Sequence, residues 1–344
     1  LILICAALAT TGAIVTHAGG RLESFDITDG VPSPIAGHVV GRVIGIKWDV
    51  RAIPVQYSMN NTLDPIPNPA GPSILSLAAA TAELQASFDA WNNLPSSFID
   101  MRITGTTGNP GLRGFDMVNE LTFRTSAGFT AIASSPSTSL IRDVVFEHGD
   151  LIDNDADPDV SDQITVVTDV DGDGDLEFPA GLYKAGTILD NDVQFNTKVS
   201  NGFRYTIDPA AADVITRSVD LRAIAVHEFG HSHGLSHSLN NQNSAADADG
   251  ATMFPFIDTG DPASELAQRT LDIDDIAYSS FFYQEGTSPS GPAALQAGDV
   301  AFKKAFGLIT GELRHGVQQA PLAGGSVFTV NTKTGSQGVA AYSG

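Results

Sequence analysis

The run His227-Glu228-Phe229-Gly230-His231-Ser232-His233-Gly234-Leu235-Ser236-His237 restricts this chain more than any other stretch. It holds H-E-x-x-H and the extension H-E-x-x-H-x-x-G-x-x-H. The residues before it, Val219 to Val226, are good helix formers with apolar side chains on one side. A helix is therefore expected to run through the first histidines. Residues four apart on a helix share a face, so His227 and His231 point the same way and can reach one ion. Glu228 sits beside the first ligand, where it can hold a water without binding the metal. Gly234 can take a positive φ at no steric cost, which ends the helix and turns the chain back. That turn brings in His237 as a third ligand from outside the helix. Three protein ligands leave a fourth position open, as catalytic zinc sites do and structural ones do not. The competing reading is a histidine-rich amphipathic helix with no metal, and five fixed positions within eleven residues weigh against it. His233 lies two residues from a ligand, on the wrong helical face, and is read as a solvent-facing or outer histidine.

The extended motif resembles that of the metzincin zinc peptidases. Ala251-Thr252-Met253-Phe254-Pro255, with Met253 sixteen residues after His237, resembles their Met-turn in its matrixin form. A methionine there would be a polarizable apolar floor under the imidazoles; taken alone, Met253 would read as core packing. Ser238 is the residue matrixins carry after the third histidine. The resemblance implies an α+β fold: a zincin catalytic domain whose twisted mixed sheet packs on a long helix and an active-site helix. It implies catalytic zinc on His227, His231 and His237, with Glu228 as general base and a protein or peptide as substrate.

Length and charge fit an exported enzyme. The chain has 344 residues and is 42% hydrophobic, enough for a sizeable core and more than one domain. Its 18 basic and 40 acidic residues leave a net charge of −22, which excludes nucleic acid and anionic membrane as expected partners. A monomer is expected. Cys5 is the only cysteine, so no disulfide framework exists. Matrixin precursors are often held latent by a cysteine on zinc, and no such motif is present. Leu1 to Ala18 carry no charge and read as the apolar part of a secretion signal, with Thr16-His17-Ala18 as a small-residue cleavage site. The protein is then secreted, with no stable membrane partner after cleavage. An N-terminal anchor at the outer surface is the alternative, since the run approaches a span in length. The sequence is expected to begin inside its true N-terminus.

Breaks in composition divide the rest. Residues 19–45 read as a leader or linker, and 46–284 as the catalytic domain. Val55, Tyr57 and Met59 alternate with polar neighbours, as in a half-buried strand after Pro54. Ser73 is a candidate N-cap for a long helix carrying Ile74, Leu77, Thr81, Leu84, Phe88 and Trp91 at steps of three and four. It is expected to stop near Asn92-Asn93-Leu94-Pro95. Residues 116–123 read as a turn into a strand and 190–196 as another, and the edge strand that pairs with substrate in metzincins is placed between 121 and 195. Gln194 stands where vertebrate matrixins have a histidine on a structural zinc, so no second zinc is expected. Residues 254–270 resemble the loop lining the pocket beside the cleaved bond. Leu271 to Tyr283 resembles the family's closing helix, with acidic residues in its first turn.

An acidic insertion is expected at about 150–178. Its runs are 153–159 and 169–177, the second holding Asp169, Asp171, Asp173, Asp175 and Glu177 around Gly172 and Gly174. Carboxylates on alternate residues with glycine at the sixth position can wrap a calcium ion. The second run resembles the first half of an EF-hand loop, but Ala180 stands at the twelfth position in place of a bidentate glutamate. The competing reading is a solvated acidic loop. Residues 285–304 read as a Gly-, Ser- and Pro-rich linker, and 305–344 as a truncated β-sandwich-like module with strands at 307–313 and 325–330. Two rival functions stay open: a zinc hydrolase of a non-peptide substrate, and a calcium-dependent surface or adhesion protein.

Overall fold

Val55, Tyr57 and Met59 are each no more than 2% exposed, while Gln56 and Ser58 between them are half-buried. That alternation, one face packed and one face open, sets the register of the central sheet. The structure is a computed structural model of the chain. It describes residues 23–32, 39–66, 75–108, 115–125, 131–140, 143–148, 150–152, 164–165, 169, 174, 176–197, 204–212, 218–238, 251–255, 266–309, 314, 316–317, 326–330, 332–333 and 337–342.

Strands β1 (Glu23–Pro32) and β2 (Val39–Gly45) form an antiparallel hairpin in the segment expected to be a leader. The central sheet draws on β3 (Val55–Asn60), β4 (Met101–Thr107), β5 (Glu120–Arg124) and β6 (Ala133–Ser134). Short antiparallel pairs follow, formed by β7 (Ser137–Ser139), β8 (Val144–Phe146), β9 (Leu151–Ile152), β10 (Ile164–Thr165), β11 (Gly181–Tyr183) and β12 (Ile188–Asn191). β13 (Val193–Asn196) returns to the central sheet, giving the order β4-β3-β5-β13-β6. The first four of these strands are mutually parallel, and β6 is an antiparallel edge. β14 (Arg204–Thr206) pairs in parallel with β15 (Ser218–Asp220), which leads straight into the histidine-bearing helix α2 (Leu221–Ser232).

The long helix α1 spans Leu77–Asn92. Its N-cap is Ser76, whose Oγ accepts from the Ala79 amide at 3.2 Å. Ser73 and Ile74 lie outside the described residues, and the cap falls three residues later than expected. Leu84, Phe88 and Trp91 are fully buried along one stripe, as the 3.6-residue period requires. The Phe88 ring stacks on Phe229 of α2 at 3.8 Å and meets Tyr57 of β3 at 5.0 Å. Burying one such ring contributes roughly 1.5–3 kcal/mol. This three-way contact joins the sheet, α1 and α2. The fold is α+β, with a five-stranded, mostly parallel sheet and few helices.

The closing helix α3 runs Ile273–Phe282 and opens with a capping box between Asp272 and Asp275. The stretch expected as a linker is docked on the domain. The Glu285 amide bonds the Ser96 carbonyl, the Val300 amide bonds the Pro95 carbonyl at 2.7 Å, and Ala293 is buried. A short helix α4 (Phe302–Ala305) ends this strap. Beyond it, β16 (Ser326–Val330) and β17 (Gln337–Tyr342) form a hairpin. The expected strand at 307–313 is irregular at 307–309, and 310–313 lie outside the described residues. Among the described residues no helix is long and apolar enough to cross a membrane; residues 1–18 are not among them.

Candidate metal centre

Helix α2 spans Leu221–Ser232. Asp220 caps its start, accepting from the Ala223 amide at 2.9 Å, and receives the Arg269 guanidinium through both oxygens. Every residue of α2 except Arg222 is buried, so the helix lies inside the molecule and its polar side chains face protein. After His233 the chain reverses at Gly234, with φ +95°. A Cβ there would stand 2.0 Å from the carbonyl oxygen of Ile46, so only glycine fits both the conformation and the contact.

The reversal brings His227, His231 and His237 together, with one ligand-capable atom of each within 4.8 Å of the others. His227 Nδ1 donates to the Thr252 carbonyl at 2.6 Å, and His231 Nδ1 donates to the Leu235 carbonyl at 2.8 Å. A carbonyl only accepts, so both rings carry their proton on Nδ1 and turn the Nε2 lone pair inward. Nε2 of His231 and Nε2 of His237 face each other at 3.2 Å, a contact that needs a cation or a shared proton. Nε2 of His227 is buried with no partner. Burial pushes all three imidazoles down, to about 3 for His227, 4 for His231 and 2 for His237, with the neighbouring rings adding to the effect at His227 and His237. Neutral imidazoles at this spacing fit a zinc ion by donor type and arrangement.

Glu228 is fully buried and neither carboxylate oxygen has a partner. Burial alone pushes it up to about 8. Such a group is costly unless something at the site uses it.

The floor is equally specific. Met253 is 2% exposed, and its Sδ lies where a Cβ on Gly230 would be, 2.0 Å away. Gly230 therefore lets the thioether press against the helix between the two histidines. The turn holding Met253 is fixed by Asp275, whose oxygens accept from the amides of Thr252 at 2.8 Å, Met253 at 3.2 Å and Asp272 at 3.0 Å. Ser238 donates from Oγ to Asp274, and its amide bonds the Met253 carbonyl at 2.7 Å. Helix α3 thus carries the acids that tie the third histidine and the methionine turn together. Residues 159–283 match the family model described as matrixin. The matched segment is a matrixin-like metzincin domain. The match spans the active-site helix, the Met-turn and the closing helix, and at the family level it makes the matrixin domain a metallopeptidase with an implied catalytic zinc. No curated protein matches the chain.

Some expectations for this matrixin domain change. His233 is neither solvent-facing nor outer: it is fully buried, its Nδ1 donates to the Phe229 carbonyl at 2.6 Å, and its ring packs on Trp91 at 4.4 Å. The reason is that α2 is buried on all sides, so the face opposite the ligands is core as well. Of the candidate calcium residues, Asp169 accepts from the Gly174 amide at 2.8 Å, and Glu177 is half-buried. Asp171, Asp173 and Asp175 lie outside the described residues, as do 256–265 of the pocket loop.

A second acidic group escaped sequence reading. Asp190 (2% exposed), Asp192 (6%) and Glu120 (2%) meet where β12, β13 and β5 converge, with Asp116 nearby. Asp190 Oδ2 accepts from the amides of Asp116 and Met117, its Oδ1 is buried without a partner, and Asp192 accepts from the Glu120 amide. Burial and the neighbouring acids push Asp190 up to about 8 and Asp192 to about 9. The signal available in sequence was the Asp-x-Asp pattern at 190–192, which strand alternation absorbed.

Proposed function

We propose that this chain is an exported zinc endopeptidase in which Glu228 is the general base. The observation that carries it is the convergence of three inward-facing histidine nitrogens beside a buried carboxylate with both oxygens unused. Zinc held by His227, His231 and His237 would supply a Lewis acid that polarises the scissile carbonyl and acidifies water. Glu228 would take the proton from the attacking water at a carboxylate oxygen and pass it to the leaving amide nitrogen as the C–N bond breaks. Among the described residues strand β6 is the antiparallel edge of the sheet, and such an edge would align an extended substrate by backbone hydrogen bonds. Export rests on the uncharged apolar run 1–18 and the charge of −22.

The test is zinc analysis of the purified chain together with cleavage of an unstructured protein with and without a chelator. Stoichiometric zinc and chelator-sensitive cleavage are expected. A zinc-loaded chain that cleaves no polypeptide would overturn the reading.

Calcium belongs to the same proposal, with a second candidate seat at Asp190 and Asp192 besides the one expected at 169–177. The unpartnered Asp190 oxygen among buried acids fits a hard cation. Calcium should raise the melting temperature of the wild type and not of Asp190→Asn; equal shifts in both would remove this seat.

A further inference from the structure

The end of α2 shows how the third histidine is aimed. An α-helix leaves its last four carbonyls without helical partners. Here the turn itself serves two of them: Gly230 O accepts from the amides of His233 and Leu235, and His231 O accepts from Gly234. The last two are met from far away in the chain. Trp48 Nε1 donates to Ser232 O at 2.8 Å, and the Tyr283 hydroxyl donates to His233 O at 2.7 Å. The Tyr283 oxygen also accepts from the Trp48 backbone amide at 3.0 Å, so the Tyr283 side chain is tied to the backbone that carries the Trp48 indole. Trp48, Tyr283 and His233 are each no more than 2% exposed, so water cannot replace either bond. The same segment, 46–48, lays Ile46 O against Gly234 and reaches the Phe282 carbonyl with Lys47 Nζ at 3.4 Å.

His237 needs such support. Among the described residues the rings of His227 and His231 are anchored by Nδ1 to backbone carbonyls, while the His237 ring meets the other two imidazoles, 5.3 Å from His227 and 4.7 Å from His231, with no carbonyl anchor of its own. Its direction is therefore set by the backbone from Ser232 to Ser238, and that backbone leaves α2 through the two carbonyls that Trp48 and Tyr283 hold.

We propose that Trp48 and Tyr283 are positioning residues of the zinc centre: they clamp the last carbonyls of α2 and so place His237. The proposal rests on the zinc reading above. Neither residue touches a reacting atom; they act through the turn, as outer partners of metal ligands do, where a loss typically lowers metal affinity about 10- to 100-fold.

The experiment uses the full chain, wild type, Tyr283→Phe, Trp48→Phe and a control, Tyr183→Phe. The control also deletes a tyrosine hydroxyl from a carbonyl, that of Pro179, away from the site. Zinc affinity is measured by competition with a chromogenic chelator, and the cobalt-substituted proteins are compared by visible spectrum. Tyr283→Phe and Trp48→Phe should bind zinc about 10- to 100-fold more weakly and shift the cobalt spectrum. Tyr183→Phe should lower the melting temperature and leave both metal readouts unchanged. If Trp48→Phe does not fold, Tyr283→Phe, which deletes a single oxygen, decides. A wild type that binds zinc alongside variants with the same affinity and spectrum overturns this proposal alone. A wild type that takes up no zinc overturns both readings.

Discussion

His227 donates from Nδ1 to the carbonyl oxygen of Thr252 at 2.6 Å, so the first histidine of the site is oriented by the residue just ahead of Met253. Thr252 is itself pinned: its amide bonds Asp275 at 2.8 Å and its hydroxyl bonds the Thr270 carbonyl at 2.6 Å. The orientation of a ligand on α2 therefore depends on an acid at the start of α3.

Asp275→Asn tests that dependence. The carboxylate takes three backbone amides, and an amide side chain would turn its NH2 group toward at least one of them. Leaving a buried donor unsatisfied costs about 1–3 kcal/mol. The melting temperature should fall, and zinc affinity should fall with it because the Thr252 carbonyl shifts. Unchanged zinc affinity in a destabilised protein would confine Asp275 to the stability of α3.

Glu228→Gln should leave the three histidines and their carbonyl partners in place, since no hydrogen bond to the Glu228 side chain exists to be lost. Zinc content should match wild type, while kcat for a peptide substrate falls by at least about 100-fold, the usual range for a lost general base. Retained activity would send the proton-transfer role elsewhere.

At Gly230 and Met253 the expectation is non-additive. Gly230→Ala drives a methyl into the Met253 thioether, an overpacking that costs about 1–3 kcal/mol. Met253→Ala alone opens a cavity. The double variant, in which the new methyl meets open space, should be more stable than the two single losses add up to. Denaturant unfolding of all four proteins reads the coupling; strict additivity would show that Met253 does not sit on Gly230.

The strap should respond to pH. Glu285 is buried, and burial followed by the charge of Asp299 pushes it up to about 7, against a partial offset from the Gly286 amide. A raised folded-state value means that the docked strap binds its proton more tightly than the free one. The stabilisation is full below about 4.5 and fades as pH climbs toward 7. Amide exchange at 285–302, corrected for intrinsic rates, should therefore gain protection on acidification from pH 8 to pH 5. Glu285→Gln should flatten that response, and an unchanged profile in the variant would assign it to another group.

What the sequence disclosed, and what it hid, follows from range. The ligands, Gly234 and Met253 stand at local spacings, so the turn and its metal chemistry could be read from a stretch of under thirty residues. The buried strand face at Val55, Tyr57 and Met59 and the stripe Leu84, Phe88, Trp91 were equally local. His233 was misplaced because one helix has no way of showing that both its faces are covered; that follows from Trp91 and Tyr283 arriving from other elements. The strap at 285–304 has linker composition, and its docking rests on backbone hydrogen bonds to Pro95 and Ser96, which composition does not encode. The buried acids at 190 and 192 meet Glu120 only through strand pairing across the sheet.

The pair that closes α2 has one further effect. Trp48 and Tyr283 are 235 positions apart, and contacts of such long range are slow to form. A growing chain displays all three histidines once residue 237 has been made, yet it lacks the hydroxyl on the His233 carbonyl until residue 283 follows. The order of synthesis itself therefore delays completion of this clamp until the domain around it can close.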